Sequence, residues 1–282
     1  MPERLQRVQG TQEARSGPRR ITKGRGKGEK MKIRRKTIRA GLLVKVVDST
    51  PPLPRDTAIQ RAAKQKATTA ARKLLNFKTA QGKLELKLAV NFTNSDYFVT
   101  LTYAPGKEPG SRKECNADRA QFIRKLREQR KKRGEVLKWI CSPEHKHGEA
   151  RWHLHGVINA ANQALDFDEI RSLWPHGDVH ITKLFDSEHR FNTWLDVARY
   201  LTKERPEDGK DETPVGAQIY SCSRNLINPI TNRNYYKSEW VQEEQKAEIP
   251  ETAIIIETEE KHTEFGFYRY IKYMIKPLYE RE

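Results

Sequence analysis

An α+β fold, with a central antiparallel sheet and helices packed on it, is what this chain predicts, and three observations carry the prediction. Between residues 97 and 204 the segments read as strand, helix, strand, strand, helix, strand, helix. Two of those strands follow each other across a short turn, which is hairpin order and not the order of a doubly wound parallel sheet. Apolar residues make up 36% of the 282-residue chain and charged residues 32%, so there is material for a core but less than usual.

Taken in order, residues 1–40 hold fourteen Lys or Arg and three Glu, a local net of +11, with Gly and polar residues between them. Residues 1–56 therefore read as a basic arm without structure of its own, although GLLVKVV (41–47) has the composition of a short strand. STPPLP breaks the pattern. Residues 57–91 form a helical segment, led by the Ala-rich TAIQRAAKQKATTAARKLLNF. The core, residues 92–204, opens with the strand YFVTLTY (97–103), stopped by Ala104-Pro105-Gly106. ADRAQFIRKLREQRKKRG (117–134) is a basic amphipathic helix ended by Gly134. EVLKWICS (135–142) and RWHLHGVIN (151–159) are strands around the turn EHKHGEA. DFDEIRSLWP (166–175) is a short helix, GDVHITKLF (177–185) a strand, and FNTWLDVARYLTKE (191–204) a second substantial helix. Residues 205–282 form an extension with two further strands, AIIIET (253–258) and FGFYRYIKYM (265–274), expected to join the same sheet.

The formal net charge of +17 points to a polyanionic partner. No apolar run approaches a membrane span, and the basic N-terminus has no apolar stretch after it, which argues against a secretory signal. Cys115, Cys141 and Cys222 lie far apart with no CxxC pair, as expected of reduced thiols in a cytoplasmic protein.

His153 and His155 are the most informative pair. Side chains alternate along a strand, so both point to one face with Arg151 and Val157, while Trp152, Leu154 and Ile158 point to the other. Two imidazoles converging on a stiff element suit a divalent metal. A third ligand is needed, and a hairpin with its tip near Gly148 places Glu144 opposite His153, with His147 the next choice and His145 on the other face. Thr100 and Thr102 share one face of YFVTLTY, where hydroxyls can bond a phosphate or a base edge. In the helix 191–204, Phe191, Trp194, Leu195, Ala198 and Leu201 form the core stripe. Tyr200 lies roughly 140° from its centre, with Lys203 on nearly the same side. His176, His180, His189 and His262 show no ligand spacing.

The ordered set of a Thr-rich strand (Val99 to Tyr103), His153-Leu154-His155 and a helix bearing Tyr200 and Lys203 resembles the HUH endonucleases, and within them the rolling-circle replication initiators of phages, plasmids and mobile elements. The resemblance covers roughly residues 92–204. It implies a Mg²⁺ or Mn²⁺ ion on His153, His155 and Glu144, with Tyr200 as nucleophile and Lys203 on the phosphate. Thr100, Thr102, Arg151 and Arg199 are expected to contact DNA. It further implies single-stranded or hairpin origin DNA as substrate, a 5′-phosphotyrosine intermediate, and a bacterial cytoplasm as the setting. Partners would include a host DNA polymerase and a separate helicase, since the chain has no GxxxxGK[ST] stretch. A third motif with one tyrosine departs from initiators that carry two.

Three alternatives stand beside this reading. A single-tyrosine transposase or a relaxase shares the chemistry, but relaxases carry their tyrosine near the N-terminus and Tyr200 follows the histidines. A non-enzymatic basic nucleic-acid-binding protein explains the charge and leaves the motif order to coincidence. A β-barrel metal oxygenase needs a glutamate shortly after His155, which is missing.

Overall fold

Alternation in YFVTLTY sends Tyr97, Val99 and Leu101 to one side and Phe98, Thr100 and Thr102 to the other, and helices cover both sides. The computed structural model describes residues 31–50, 70–145, 151–185, 191–202, 219–238, 248–263 and 266–276. They form β1 (Met31–Ala40), β2 (Leu43–Ser49), α1 (Ala70–Asn91), β3 (Tyr97–Thr102), α2 (Arg112–Lys132), β4 (Trp139–His145) and β5 (Trp152–Ile158). Then come α3 (Gln163–Ser172), β6 (Val179–Lys183), α4 (Trp194–Leu201), β7 (Ser221–Cys222), β8 (Ile230–Ser238), β9 (Ala253–Thr263) and β10 (Gly266–Ile275). The class is α+β, as predicted, but the strands divide into two antiparallel sheets, ordered β6-β3-β5-β4-β7 and β8-β1-β2-β10-β9.

The first sheet is the scaffold of the motifs. One face packs Val99, Leu101, Cys141 and Leu154 against Phe122, Ile123 and Leu126 of α2 and Ile170 of α3. The other packs Phe98, Ile140 and Val157 against Leu84 and Leu88 of α1 and Val197, Ala198 and Leu201 of α4. Burying a large apolar side chain stabilises the fold by about 1.5–3 kcal/mol, so this two-sided cladding fixes the strand register firmly. Between α2 and α3, Arg130 and Asp166 are fully buried and 3.3 Å apart. Arg130 also donates from one Nη to Asn159 O and Oδ1 at 2.7 and 2.9 Å, while its buried Nε has no hydrogen-bond partner among the described residues.

Helix α1 lies between the sheets. Leu84 and Leu88 face the first, while Leu86 packs with Ala40 and Leu43 of the second. Gly41, in the β1–β2 turn at φ +58°, passes so close under the helix that a Cβ would sit 2.8 Å from Ala89 O. Glu85, buried, accepts from Lys45 Nζ at 2.6 Å and from Lys272 Nζ at 3.3 Å. On the other face of that sheet Asp48 accepts from Arg35 and Arg269 at 2.7–2.9 Å.

The second sheet corrects three expectations. The arm assigned to residues 1–56 contains β1 and β2, because Ile33, Ala40, Val44 and Val46 are buried and Arg35 of β1 is ion-paired with Asp48 of β2. The two C-terminal strands join the sheet of β2, β10 pairing with β2 and β9 with β10, and not the motif-bearing sheet. Polar ITNRNYYKS, unremarkable as sequence, is the edge strand β8. Helix boundaries also shift: α1 runs to Asn91, α2 begins at Arg112, and α4 spans Trp194–Leu201 instead of 191–204. Residues 1–30 and 57–69 lie outside the described residues.

Candidate catalytic face of the first sheet

Cross-strand register brings the motifs together. Glu144 pairs with His153 and Ser142 with His155 between β4 and β5, while Thr102 pairs with His153 and Thr100 with His155 between β3 and β5. Directly opposed residues share a face with Cβ atoms about 4.5–5.5 Å apart. The polar group therefore continues, along each strand, the apolar row of Phe98, Ile140 and Val157 under α1 and α4. His145 points to the opposite face and stacks on Trp152 at 4.5 Å.

His155 is the hub. It is buried, its Nε2 lies 2.7 Å from Glu144 Oε2, and its Nδ1 lies 3.1 Å from Thr100 Oγ1. Nδ1 is thus hydrogen-bonded to the threonine hydroxyl, while Nε2 is in close contact with the carboxylate. The carboxylate reaches diagonally to His155 although its register partner is His153. Glu144 itself is only 5% exposed, a burial that a carboxylate tolerates when a hydrogen-bond donor or cation meets it. The half-buried His153 ring lies parallel to His155, with centroids 6.1 Å apart and planes 8° apart.

Tyr200 arrives from the other side of the cleft. A capping box fixes the start of its helix: Thr193 Oγ1 accepts from Asp196 N at 3.3 Å, and Asp196 Oδ2 accepts from Thr193 N at 2.9 Å. Thr202, fully buried, closes the far end by donating to Ala198 O at 2.7 Å, and it accepts from Gln81 Nε2 of α1 at 3.1 Å. The ring of Tyr200 stands edge-on to His155 (5.0 Å, 84°), Phe98 (5.4 Å, 86°) and Phe191 (5.4 Å, 78°). The buried stripe of α4 runs through Val197, where Leu195 was expected, and this turns the stripe towards Tyr200. Tyr200 thus flanks the core and holds one defined orientation beside the histidines.

The other predicted residues fall into separate groups. Thr102 Oγ1 donates to Asp178 O at 3.1 Å. Arg151 and Arg199 are exposed, one just before β5 and one on α4. Lys203, His147 and His189 lie outside the described residues. The His176 ring is tilted against Trp174 at 4.7 Å and lies 3.7 Å from Asp118, on the α2 side. His180 is register partner to Thr100, so it shares the face of His155 one strand further out. Sequence reading missed Phe98 as a wall for Tyr200, a position that strand alternation already places on the histidine face. It also missed Gln81 and Thr202, whose bond spans 121 positions and leaves no local signal. Gly156, next to His155, was missed too: a Cβ there would lie 2.9 Å from Ile140 O, so glycine lets β5 approach β4.

Among the described residues no three His, Cys, Asp or Glu side chains are arranged to hold a metal ion together. The donor set nonetheless fits one: two imidazoles and a buried carboxylate on adjacent strands, with a nitrogen and an oxygen donor meeting at 2.7 Å. Ligation requires His155 and Glu144 to exchange their mutual contact for the cation.

The fold and this face define an α+β protein with an imidazole–carboxylate pair set beside a tyrosine. Residues 96–205, which run from just before β3 past α4 and include every motif residue above, match the family model for Replication-associated protein ORF2/G2P. The match covers less than half of the chain. No curated protein and no solved structure matches the chain. Among the described residues no helix is long and apolar enough to cross a membrane.

Proposed function

We propose that the unit spanning residues 96–205 initiates replication by nicking single-stranded DNA. The single observation that carries this reading is the edge-on approach of Tyr200 to His155, 5.0 Å between ring centres, within a unit matched by a replication-associated family. In the proposed step the Tyr200 oxygen attacks a backbone phosphorus. The Tyr–O–P bond forms as the P–O3′ bond breaks. The phenol gives up its proton, and the departing 3′ oxygen is protonated to a free hydroxyl. The 5′-phosphotyrosine keeps the bond available for rejoining, where attack by water would lose it.

Each residue has a part. A phenol is a weak nucleophile at neutral pH and needs help. A Mg²⁺ or Mn²⁺ ion held by His153, His155 and Glu144 would polarise the phosphate oxygens. Thr100 orients His155 through Nδ1. Phe98 and Phe191 hold the Tyr200 ring and keep water from its flanks. Lys203, carried by the resemblance, would stabilise charge on the phosphate. Arg151 and Arg199 would hold the strand on either side.

Single-stranded circular DNA incubated with the protein and Mn²⁺ is expected to give a covalent species that survives denaturation and maps by mass spectrometry to Tyr200. Tyr200→Phe should give none while binding DNA nearly as tightly. An adduct from that variant would overturn the assignment of the nucleophile. Rejoining of transposon ends in place of origin nicking would move the protein to the transposase class.

A further inference from the structure

Resting on the DNA reading above, we infer that the β1–β8 half of the second sheet is a docking surface for the phosphate backbone of the same DNA, continuous with Tyr200 by way of α1. The charges on this sheet are sorted. Its central and far strands are neutralised, with Lys45 and Lys272 on Glu85, Lys272 also 3.3 Å from Glu257, and Arg35 and Arg269 on Asp48. On the face that meets α1, Arg34 and Lys36 of β1 and Arg233 of β8 form no ion pair among the described residues, and neither does Lys83 of α1.

Register makes the arrangement costly without a partner. Lys36 stands directly opposite Arg233. Like charges facing each other across a ladder are destabilising. Burial, then Arg233, Arg34 and Lys83, push the Lys36 ammonium below its usual value, which shows that these four groups share one field. The buried Nε of Arg34 has no hydrogen-bond partner among the described residues. Beside them Lys32 Nζ sits 4.9 Å over the ring of exposed Tyr235, an aromatic next to cations, as surfaces that take single strands provide.

Helix α1 links this face to the helix that bears the nucleophile. Gln81, one turn of α1, bonds Thr202 at the end of the Tyr200 helix, and Lys83 is two residues on. A Cβ on Gly82 would be 3.8 Å from Lys45 Nζ, which puts this turn of the helix against the second sheet. A strand held at Tyr200 would reach Lys83, Lys36, Arg34 and Arg233 by passing α1. On the same face at the other edge, Glu257 and Glu259 of β9 repel it.

The test uses the full chain and a labelled oligothymidylate of about 40 nucleotides, titrated between roughly 50 and 200 mM salt. The variant carries Lys36→Gln, Lys83→Gln and Arg233→Gln. The control carries Arg127→Gln, Lys131→Gln and Lys132→Gln, three exposed positions of α2 across the first sheet. Loss of three phosphate contacts should weaken binding about tenfold or more and flatten the log K against log salt slope by about 2. The control should keep the wild-type slope. Equal losses in both would mean that net charge alone acts, and no loss in the first would mean that DNA does not dock there; either overturns the inference. If the triple variant melts below the assay temperature, Lys83→Gln alone should change the slope by about 0.7, and an unchanged slope counts against it. Covalent adducts on single-stranded circular DNA are read in parallel. Patch-dependent binding without any adduct would leave this surface standing and remove the nuclease reading.

Discussion

The two sheets have equal strand number and opposite logic. The first is clad by helices on both faces, and the polar residues of its motifs are gathered beyond the apolar row, where His155 lies between Glu144 and Thr100. The second spreads charge along every strand, neutralising it across the centre and leaving one edge basic. The first spends apolar burial on position and the second uses charge for reach. Chemistry needs groups fixed to a few tenths of an ångström. Holding a flexible polyanion needs field and area, for which pairs spaced along a surface suffice.

Breaking the first sheet's chemistry should have the largest effect. Tyr200→Phe removes adduct formation outright, as described above. Glu144→Gln, which keeps the shape of the side chain and removes its charge, should lower metal-dependent nicking by about a hundredfold, the upper range for loss of a group that orients or ligates a metal centre. Its thermal melt in the absence of metal should move far less than its activity. Equal activity with and without the carboxylate would remove Glu144 from the site.

Breaking a buried pair in either sheet should cost stability. Asp48→Asn leaves Arg35 and Arg269 facing each other behind one neutral amide, with Asp48 1% exposed. Removing one partner of such a buried group costs about 3–5 kcal/mol, read by urea unfolding. If the sheets are as separable as their charge patterns suggest, adduct formation per folded molecule stays at the wild-type level. Gly156→Ala should act in the reverse way. Its Cβ meets Ile140 O at 2.9 Å, so β5 must move off β4. Overpacking of this kind costs about 1–3 kcal/mol, but it also shifts His155 from Glu144, so nicking should fall more than stability accounts for. The smallest expected effect is that of Gln81→Ala. It removes one 3.1 Å bond to Thr202, worth about 0.5–1.5 kcal/mol, and should loosen the Tyr200 helix against α1. Reduced adduct yield with an unchanged oligothymidylate affinity would tie that bond to the nucleophile and not to DNA docking.

Much of the first sheet was legible because its signals are local. Alternation in RWHLHGVI put Val157 on the face of the histidines and Leu154 on the other, and the structure has them so. The hairpin reading placed Glu144 opposite His153, as the register does. The second sheet was legible only in part: the strands at 41–47, 253–258 and 265–274 were read, but β1, β8 and the pairing of all five were not. MKIRRKTIRA reads as a charge run because its balance lies elsewhere: Arg35 finds Asp48 13 residues on, and Arg269 finds the same carboxylate 221 residues away. ITNRNYYKS carries no apolar alternation because it is an edge strand with much of its surface exposed.

The sequence by itself determined the α+β class, the strand and helix that bear the motifs, and the excess of positive charge, since periodicity and composition are properties of neighbouring residues. Only the tertiary structure decided that there are two sheets, that α1 lies between them, and that Tyr200 meets His155 through a wall of Phe98 and Phe191. Those outcomes depend on which distant strands pair and which helix faces bury together. Such choices are settled by apolar area and charge pairing between segments up to two hundred residues apart, and no local pattern encodes them.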